Sequence, residues 1–332
     1  MGSRRLGRTD TSCPDTLERI LWIPSLYYFA EAAKDMNFTK TAKRLFISQQ
    51  NLSNHIMRLE AYYDTKLFER KPHLSLTYSG EVLLTYATNF KIDEDNLKNV
   101  LTDIKEKERG VLKIGCSPMR TSIVMPQLAV RFAQKYPNVE LEFYHYHSDR
   151  LTDMLLSGEL DMAVTVDRFE HSSLISTYLF TDTIYISVSK TLLIQHFGEE
   201  HAEELIRKAS ETGADLKDFS SLPFVNVRLT NIIRDCFKDQ HCEPNFIITT
   251  DIPRFSLSDF YQEIAASIIT RTVYLIMKDR VDKDILFFPL NTTKDLSLHD
   301  LAFVRHRKKY LSRYGQCFLD TTVQFFQELD GN

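Results

Sequence analysis

Apolar positions near the start of the chain fall at helical spacing in two short runs separated by a break. The first run opens at Thr39, which reads as a helix N-cap, and sets Ala42, Leu45 and Phe46 against Lys40, Lys43 and Arg44. A break follows at Ile47, and Ser48 reads as a second N-cap. Beyond it Leu52, Ile56, Leu59 and Tyr63 recur at spacings of four, three and four, which predicts one inward stripe. The opposite face carries Gln49, Gln50, Asn51, Ser53, Asn54 and Arg58, crowded into the first turns. A recognition helix entering a major groove presents its side chains there; Gln and Asn pair bidentately with adenine, and Arg with guanine. A solvated polar face on an ordinary helix gives the same pattern.

The residues after this helix favour the reader. Beyond Asp64, the runs Leu67, Phe68, Arg70 and Leu74, Leu76, Thr77 flank Lys71, Pro72 and His73. They predict a β-hairpin wing whose tip reaches a minor groove or phosphates. The candidate DNA contacts are therefore Thr39, Lys40, Ser48, the outward polar set, and Arg70, Lys71 and His73.

This stretch resembles the winged helix-turn-helix of the LysR-type transcriptional regulators. The resemblance is carried by Leu26 and Phe29, Phe38-Thr39, Ala42, Leu45, Ser48-Gln49, Leu52-Ser53, Ile56, Leu59-Glu60, Leu67-Phe68, Arg70, and Leu76-Thr77 with Gly80. Two positions depart from it: the family usually has Pro where Gln50 sits and Gly where Asp64 sits. The first bears on which base is read. The second asks a non-Gly residue to make a turn, which Asp tolerates.

From Ser79 to Glu108 there is no Pro, and Gly80 is the only Gly, so one long helix is predicted over 79–108. Leu83, Phe90, Leu97 and Ile104 recur every seven residues, with Ala87 and Leu101 between them, a heptad seam interrupted at Glu94. A helix packed on its own domain is the alternative. The resemblance implies that this linker pairs two subunits, with Leu83, Ala87, Phe90, Leu97, Leu101 and Ile104 as the dimer contacts. Arg109-Gly110 ends the helix.

Beyond Gly110, short apolar runs alternate with helical ones. Val111–Cys116, Val139–Tyr144 and Leu160–Val166 read as strands, and Thr121–Lys135 and Ser148–Leu156 as helices, a βαβαβ order. This half resembles the LysR-type effector domain at Gly115, Pro126, Leu128, Phe132, Tyr136-Pro137 and Gly158-Glu159-Leu160-Asp161. The resemblance implies two α/β lobes joined by crossover strands, here Ile184–Ser189 and Ile285–Leu290, with a small molecule held between them. The second lobe matches less, since Ile264, Ala265, Ala266, Ser267 and Ile268 stand where a Gly-rich segment is usual. Loops at the carboxyl ends of strands favour ligands. They supply Ser117, Met119, Arg120 and Thr121, then Thr165, Val166 and Asp167, with Asn226 and Thr249 from the second lobe. Arg120 beside a helix start favours an anionic effector, although an exposed or ion-paired Arg is the commoner outcome; Met119 suits a more apolar ligand.

The expected architecture is thus α/β overall. A winged helix-turn-helix covers 20–78, a linker helix 79–109, and a two-lobed, periplasmic-binding-protein-like effector domain 110–332. Lobe I takes about 110–183 and 291–332, and lobe II about 184–290. Residues 1–19 show no periodicity and read as a flexible extension or an expression remnant.

Composition sharpens this picture at two points. The net charge of −4 suits a DNA binder poorly until it is divided along the chain: residues 20–76 hold eight Lys and Arg against five Asp and Glu. That modest surplus gives limited affinity per monomer, so a dimer, or the tetramer that the resemblance implies, is expected to multiply phosphate contacts. No apolar run approaches a membrane span of about eighteen residues, and the N-terminus lacks a secretory pattern, so a cytoplasmic protein is expected. Five scattered cysteines suit reduced thiols.

Other chemistry is weak. Cys236, His241 and Cys242 lack zinc spacing, and His145 and His147 suit packing better than metal. The peroxide-sensing branch of the family has its cysteine where Ile232 stands before Ile233-Arg234-Asp235. No Gly-x-Ser-x-Gly elbow or phosphate-binding Gly-rich loop occurs. No enzyme and no cofactor are expected. The resemblance implies a bacterial regulator that grips dyad-related half-sites in a promoter or operator, responds to an effector and, as an activator, contacts RNA polymerase. The rival reading is a small-molecule binding protein without DNA function.

Overall fold

Leu26 and Phe29, three apart on a helix, begin the first core in a computed structural model that describes residues 15–71, 73–105, 109–166, 171–227, 232–252, 263–292 and 299–331. The chain divides into two compact units, residues 1–95 and 96–332. In the first, α1 (Asp15–Asp35), α2 (Phe38–Arg44) and α3 (Gln49–Tyr62) bury Leu26, Phe29, Ala32, Ala42, Leu52, Ile56 and Leu59 together. A wing comes next, β1 (Phe68–Glu69) antiparallel to β2 (Ser75–Leu76). Phe68 meets both Phe29 and Phe38 edge-on, at 5.5 and 5.1 Å between centroids, and so ties the wing to the helices.

The N-cap of α2 is Asn37, not Thr39: its side chain accepts from Lys40 N at 2.9 Å, which starts the helix at Phe38. Ser48 caps α3 as expected, accepting from Asn51 N at 3.1 Å. Both helices end alike. After α3, Asp64 N donates to Ala61 O and Thr65 N to Glu60 O, with Asp64 at φ +48°. After α2, Phe46 N donates to Lys43 O and Ile47 N to Ala42 O, with Phe46 at φ +55°. Each is a left-handed closing turn that satisfies the last carbonyls. It turns Phe46 out of the apolar side on which its spacing had placed it, and leaves the ring 96% exposed. Tyr63 also leaves the predicted stripe. It stands at the end of α3, where its hydroxyl accepts from Trp22 Nε1 at 3.0 Å.

Thr77 sets the start of α4 (Tyr78–Lys105) by accepting from Gly80 N at 3.0 Å while donating to Lys66 O. A Cβ at Gly80 would lie 2.2 Å from Leu67 O, a backbone atom, so only glycine lets this helix begin against the wing. The expected helix continued to 108; residues 106–108 lie outside the described ones.

In the second unit, β3 (Gly110–Cys116) runs parallel to its neighbours β4 (Val139–His145) and β5 (Met162–Val166). The single helix expected between β3 and β4 is two, α5 (Pro118–Ile123) and α6 (Met125–Ala133), because Pro126 has no N–H to continue the first and suits the opening turn of the second. α7 (Ser148–Leu156) links β4 to β5. β6 (Leu174–Asp182) completes this sheet with the late strand β12 (His299–His306), in the order β4-β3-β5-β12-β6. After Thr183 alone, β7 (Ile184–Ser189) enters a different sheet.

That second part contains α8 (Lys190–Phe197), α9 (Glu199–Thr212), α10 (Leu216–Phe219), β8 (Pro223–Val227), α11 (Ile232–Asp239) and β9 (Asn245–Thr250), with β8 and β9 parallel. β10 (Ser267–Thr270), α12 (Arg271–Met277) and β11 (Ile285–Pro289) come after them. The sheet order is β10-β7-β11, so the two strands expected as crossovers pair directly with each other. The last helix, α13 (Arg313–Asp330), packs Phe318, Phe325 and Phe326 with Leu128 and Phe132 in the core of the first sheet. Among the described residues, no helix is long and apolar enough to cross a membrane.

Candidate functional site

Burial of Leu52, Ile56 and Leu59 fixes the roll of α3 and leaves Gln49, Gln50, Asn51 and Arg58 exposed, with Ser53 and Asn54 half-buried. Gln49, Gln50, Asn51, Ser53 and Asn54 lie in the first two turns of α3, and Arg58 stands further along the same helix. Thr39 belongs beside them through a different role: its Oγ1 donates to Gln49 Oε1 at 3.1 Å, across the turn between the helices. Gln49 is thereby held, and Gln50 carries no such tether in the described contacts.

The basic candidates separate into fixed and exposed ones. Arg44 lies between α1 and α2: Nη1 donates to Glu31 Oε2 at 2.5 Å, and Nε and Nη2 donate to Asp35 Oδ2 at 2.9 and 2.7 Å. Burial pushes the Glu31 carboxyl up, but hydrogen bonds and charge from Arg44 and Lys34 more than offset this and hold it below its usual range. Lys40 reaches Asp35 Oδ1 at 3.2 Å yet stays largely exposed. Arg70 stays exposed, with its guanidinium 5.9 Å over the Phe38 ring and 3.9 Å from Glu60 Oε2. Lys71 and His73 are exposed in the wing connection. Glu60 couples α3 to the wing, since its Oε1 accepts from Leu67 N at 2.9 Å and Phe68 N at 3.4 Å.

His55 was not among the sequence candidates. On the inner side of α3, its Nδ1 lies 2.8 Å from Ser25 Oγ, and its ring meets Tyr28 at 4.6 Å. Burial, then the charge of Arg58, push its pKa below the ordinary imidazole value. Its place in the inner i, i+4 register was visible in the sequence, and its partner Ser25 was not.

The linker corrects the heptad seam. Leu83 and Ala87 are buried in the first unit's own core, and Phe90 packs against it with its ring 5.7 Å from Trp22. Leu83 and Ala87 are thus used within one chain, while Phe90 stays half-buried. Leu97 and Leu101 are 58% and 54% exposed. The side chain of Ile104 lies outside the described residues. Tyr78, Val82 and Tyr86, spaced by four, are also exposed and were missed because the heptad was phased on Leu83. In the second unit, Asn96 holds the loop before α13: its Nδ2 donates to Lys308 O and its Oδ1 accepts from Tyr310 N, both at 2.7 Å.

The effector candidates are less convergent. Ser117, Met119, Arg120 and Thr121 open α5, but Arg120 is not free for an anion. It is 8% exposed, and Nη2 donates to Asp182 Oδ2 at 2.9 Å while Nη1 donates to Ser117 Oγ at 3.2 Å. Asp182, fully buried, also accepts from Thr272 N and Oγ1, each at 2.8 Å. A charge taken from water must be neutralised, and Asp182 does this. The clamp joins α5, the end of β6 and the start of α12; no local motif announces it. Thr121 bonds back to Ser117 O at 2.9 Å. Thr165 is buried and Val166 half-buried at the end of β5, while Asp167 lies outside the described residues. Asn226 is buried, whereas Thr249 faces solvent and the next residue, Thr250, is the buried one, as strand alternation requires. Thr165 Oγ1, Ser187 Oγ and Arg120 Nε are buried with no hydrogen-bond partner among the described residues.

Cys236 is fully buried, and burial, with Asp235 and Asp239 nearby, pushes its thiol up to about 12. It is protonated at neutral pH and unsuited to thiolate chemistry. Among the described residues, no group of three or more His, Cys, Asp and Glu is placed to hold a metal.

Known proteins resemble the chain over both units. The description "LysR substrate binding domain" matches residues 105–327, and "Bacterial regulatory helix-turn-helix protein, lysR family" matches residues 23–81. The HTH-type transcriptional regulator CitR of Bacillus subtilis is 30% identical over 48% of this chain, which there spans little more than half, 56%, of that regulator's length. The uncharacterized HTH-type transcriptional regulator YcgK of the same organism is 26% identical over 92% of this chain and 95% of its own. A full-length OxyR from Pseudomonas aeruginosa, 16% identical, superposes with a TM-score of 0.58 over 92% of this chain and 94% of its own, a likeness of fold alone.

His55 makes stability depend on pH. A histidine whose folded pKa is depressed contributes stability above its unfolded value of about 6.5 and loses it as pH falls through the folded value. Melting temperature at constant ionic strength is expected to fall from pH 7.5 to 5.5, and His55→Asn is expected to flatten that slope. An equal slope in the variant contradicts the assignment.

Proposed function

The chain belongs to the LysR family, and from that premise we propose that it is a sequence-specific transcriptional regulator that binds a promoter or operator as a dimer and answers a small-molecule effector. The single observation that carries this reading is the division of α3: an apolar side locked into the core and an amide-rich side left for DNA. Gln50, Asn51, Ser53, Asn54 and Arg58 read base edges, Gln49 does so from the posture Thr39 gives it, and Ser48 closes the helix end near phosphates. Lys40, Lys71 and His73 meet the backbone and position the reader without choosing a sequence. Arg70 braces the wing.

Two such readers on dyad-related half-sites double the phosphate contacts that one weakly basic domain supplies. The exposed leucines of α4, with Tyr78, Val82 and Tyr86, form the dimer contact, and dimers pair into a tetramer. The effector occupies the region between the two sheets of the second unit. There the partnerless hydroxyls of Thr165 and Ser187 supply hydrogen bonds, and Ser117, Met119, Thr121, Val166 and Asn226 stand near strand ends. The Arg120 guanidinium is held by Ser117 and the buried Asp182, so an uncharged or weakly anionic effector fits better than one needing a free guanidinium. The effector shifts the balance between two assembly shapes only by as much as it prefers one of them. The regulator works in the cytoplasm, is no enzyme, and as an activator meets RNA polymerase.

Gln50→Ala and Asn54→Ala are each expected to relax sequence preference by about 1–3 kcal/mol, while Lys71→Ala weakens all sequences alike. Competition binding against point-substituted duplexes measures this, and unchanged preference in both amide variants rejects α3 as the reader. Leu97→Glu, which leaves the first unit's core intact, is expected to turn dimers into monomers in sedimentation; dimers that persist locate the interface elsewhere.

A further inference from the structure

Phe46 is placed where packing gives it no reward. It is the left-handed residue of the turn closing α2, at φ +55°, and its ring is 96% exposed. A residue with a Cβ is strained there, and Gly or Asn is the usual occupant. An exposed ring gains nothing from the core, which the next residue, Ile47, joins instead. Lys43, Arg44, Ser48, Gln49 and Gln50 on either side of it in the chain are all exposed and polar, while its apolar neighbours Leu45 and Ile47 are half-buried, so within this stretch Phe46 is the exposed apolar side chain.

Its surroundings point to the occupant. Phe46 stands two residues before the cap of α3, at the end of the helix that enters the groove. A duplex offers apolar groups at that level, the thymine C5-methyl in the major groove and the carbons of deoxyribose along its edge. We propose that Phe46 is a DNA contact, its ring resting on thymine methyl or deoxyribose carbons beside the bases that α3 reads. The contact rests on the reading of α3 as the recognition helix. It adds affinity without releasing counterions, so it leaves the salt dependence of binding unchanged.

The test compares wild-type full-length chain with F46N, because Asn adopts a left-handed backbone with little strain. The probe is a duplex that the wild type recovers from a randomised library, with and without deoxyuridine in place of each thymidine. F46N is expected to melt at the same or a higher temperature, to bind the recovered duplex roughly tenfold more weakly, and to keep the same salt slope. A deoxyuridine that weakens the wild type and not F46N assigns the contact to a methyl; no such position assigns it to deoxyribose. F46N binding as tightly as the wild type overturns the inference, as does a changed sedimentation of the DNA-free protein with unchanged DNA affinity. Should the wild type recover no preferred duplex, the recognition-helix reading itself fails, and this contact with it.

Discussion

The reader depends on one constraint: α3 is held by a single apolar stripe. Leu52, Ile56 and Leu59 are removed from water against Leu26 and Phe29. Each such side chain stabilises the unit by about 1.5–3 kcal/mol, far more than any exposed polar contact on the other side of the helix. The apolar side therefore decides the roll of α3 and leaves the amides outward, free for the proposed DNA contacts. The same logic explains the other ties. Glu60 holds the wing from near the end of the helix, Thr39 holds Gln49 from the helix before, and Arg44 neutralises the carboxylates of Glu31 and Asp35.

Much of this half was legible because its signals are local. Ser48 as a cap, the inward stripe, the hairpin wing, and the turn at Asp64 each come from a few consecutive residues. Two of the misreadings share one cause. Helical spacing was extended past the ends of helices, so Phe46 and Tyr63 were assigned inward although closing turns had already redirected the chain. On α4, Leu83 and Ala87 of the heptad are buried in the chain's own core, and periodicity does not say which partner an apolar face will meet.

The second unit shows where sequence reading stops. Strand and helix order along residues 110–166 was legible, apart from the break that Pro126 imposes. The clamp of Arg120, Asp182 and Thr272 was not, since its members lie 62 and 90 residues apart and no spacing rule joins them. Arg120 illustrates the difficulty: the same guanidinium beside a helix start serves a ligand or a buried carboxylate, and only the distant residue decides which. Here the ion pair joins α5 to the end of β6, and Thr272 at the start of α12 completes the hydrogen bonds on the buried carboxylate.

The central claim is that two copies of α3 read DNA together. Its most direct measurement is footprinting of the full chain on the duplex that it recovers from a randomised library, across a range of salt. Two protected segments related by a dyad and spaced by whole helical turns are expected, with protection lost steeply as salt rises. Protection of one unpaired segment, or of none beyond that on random duplexes, contradicts it.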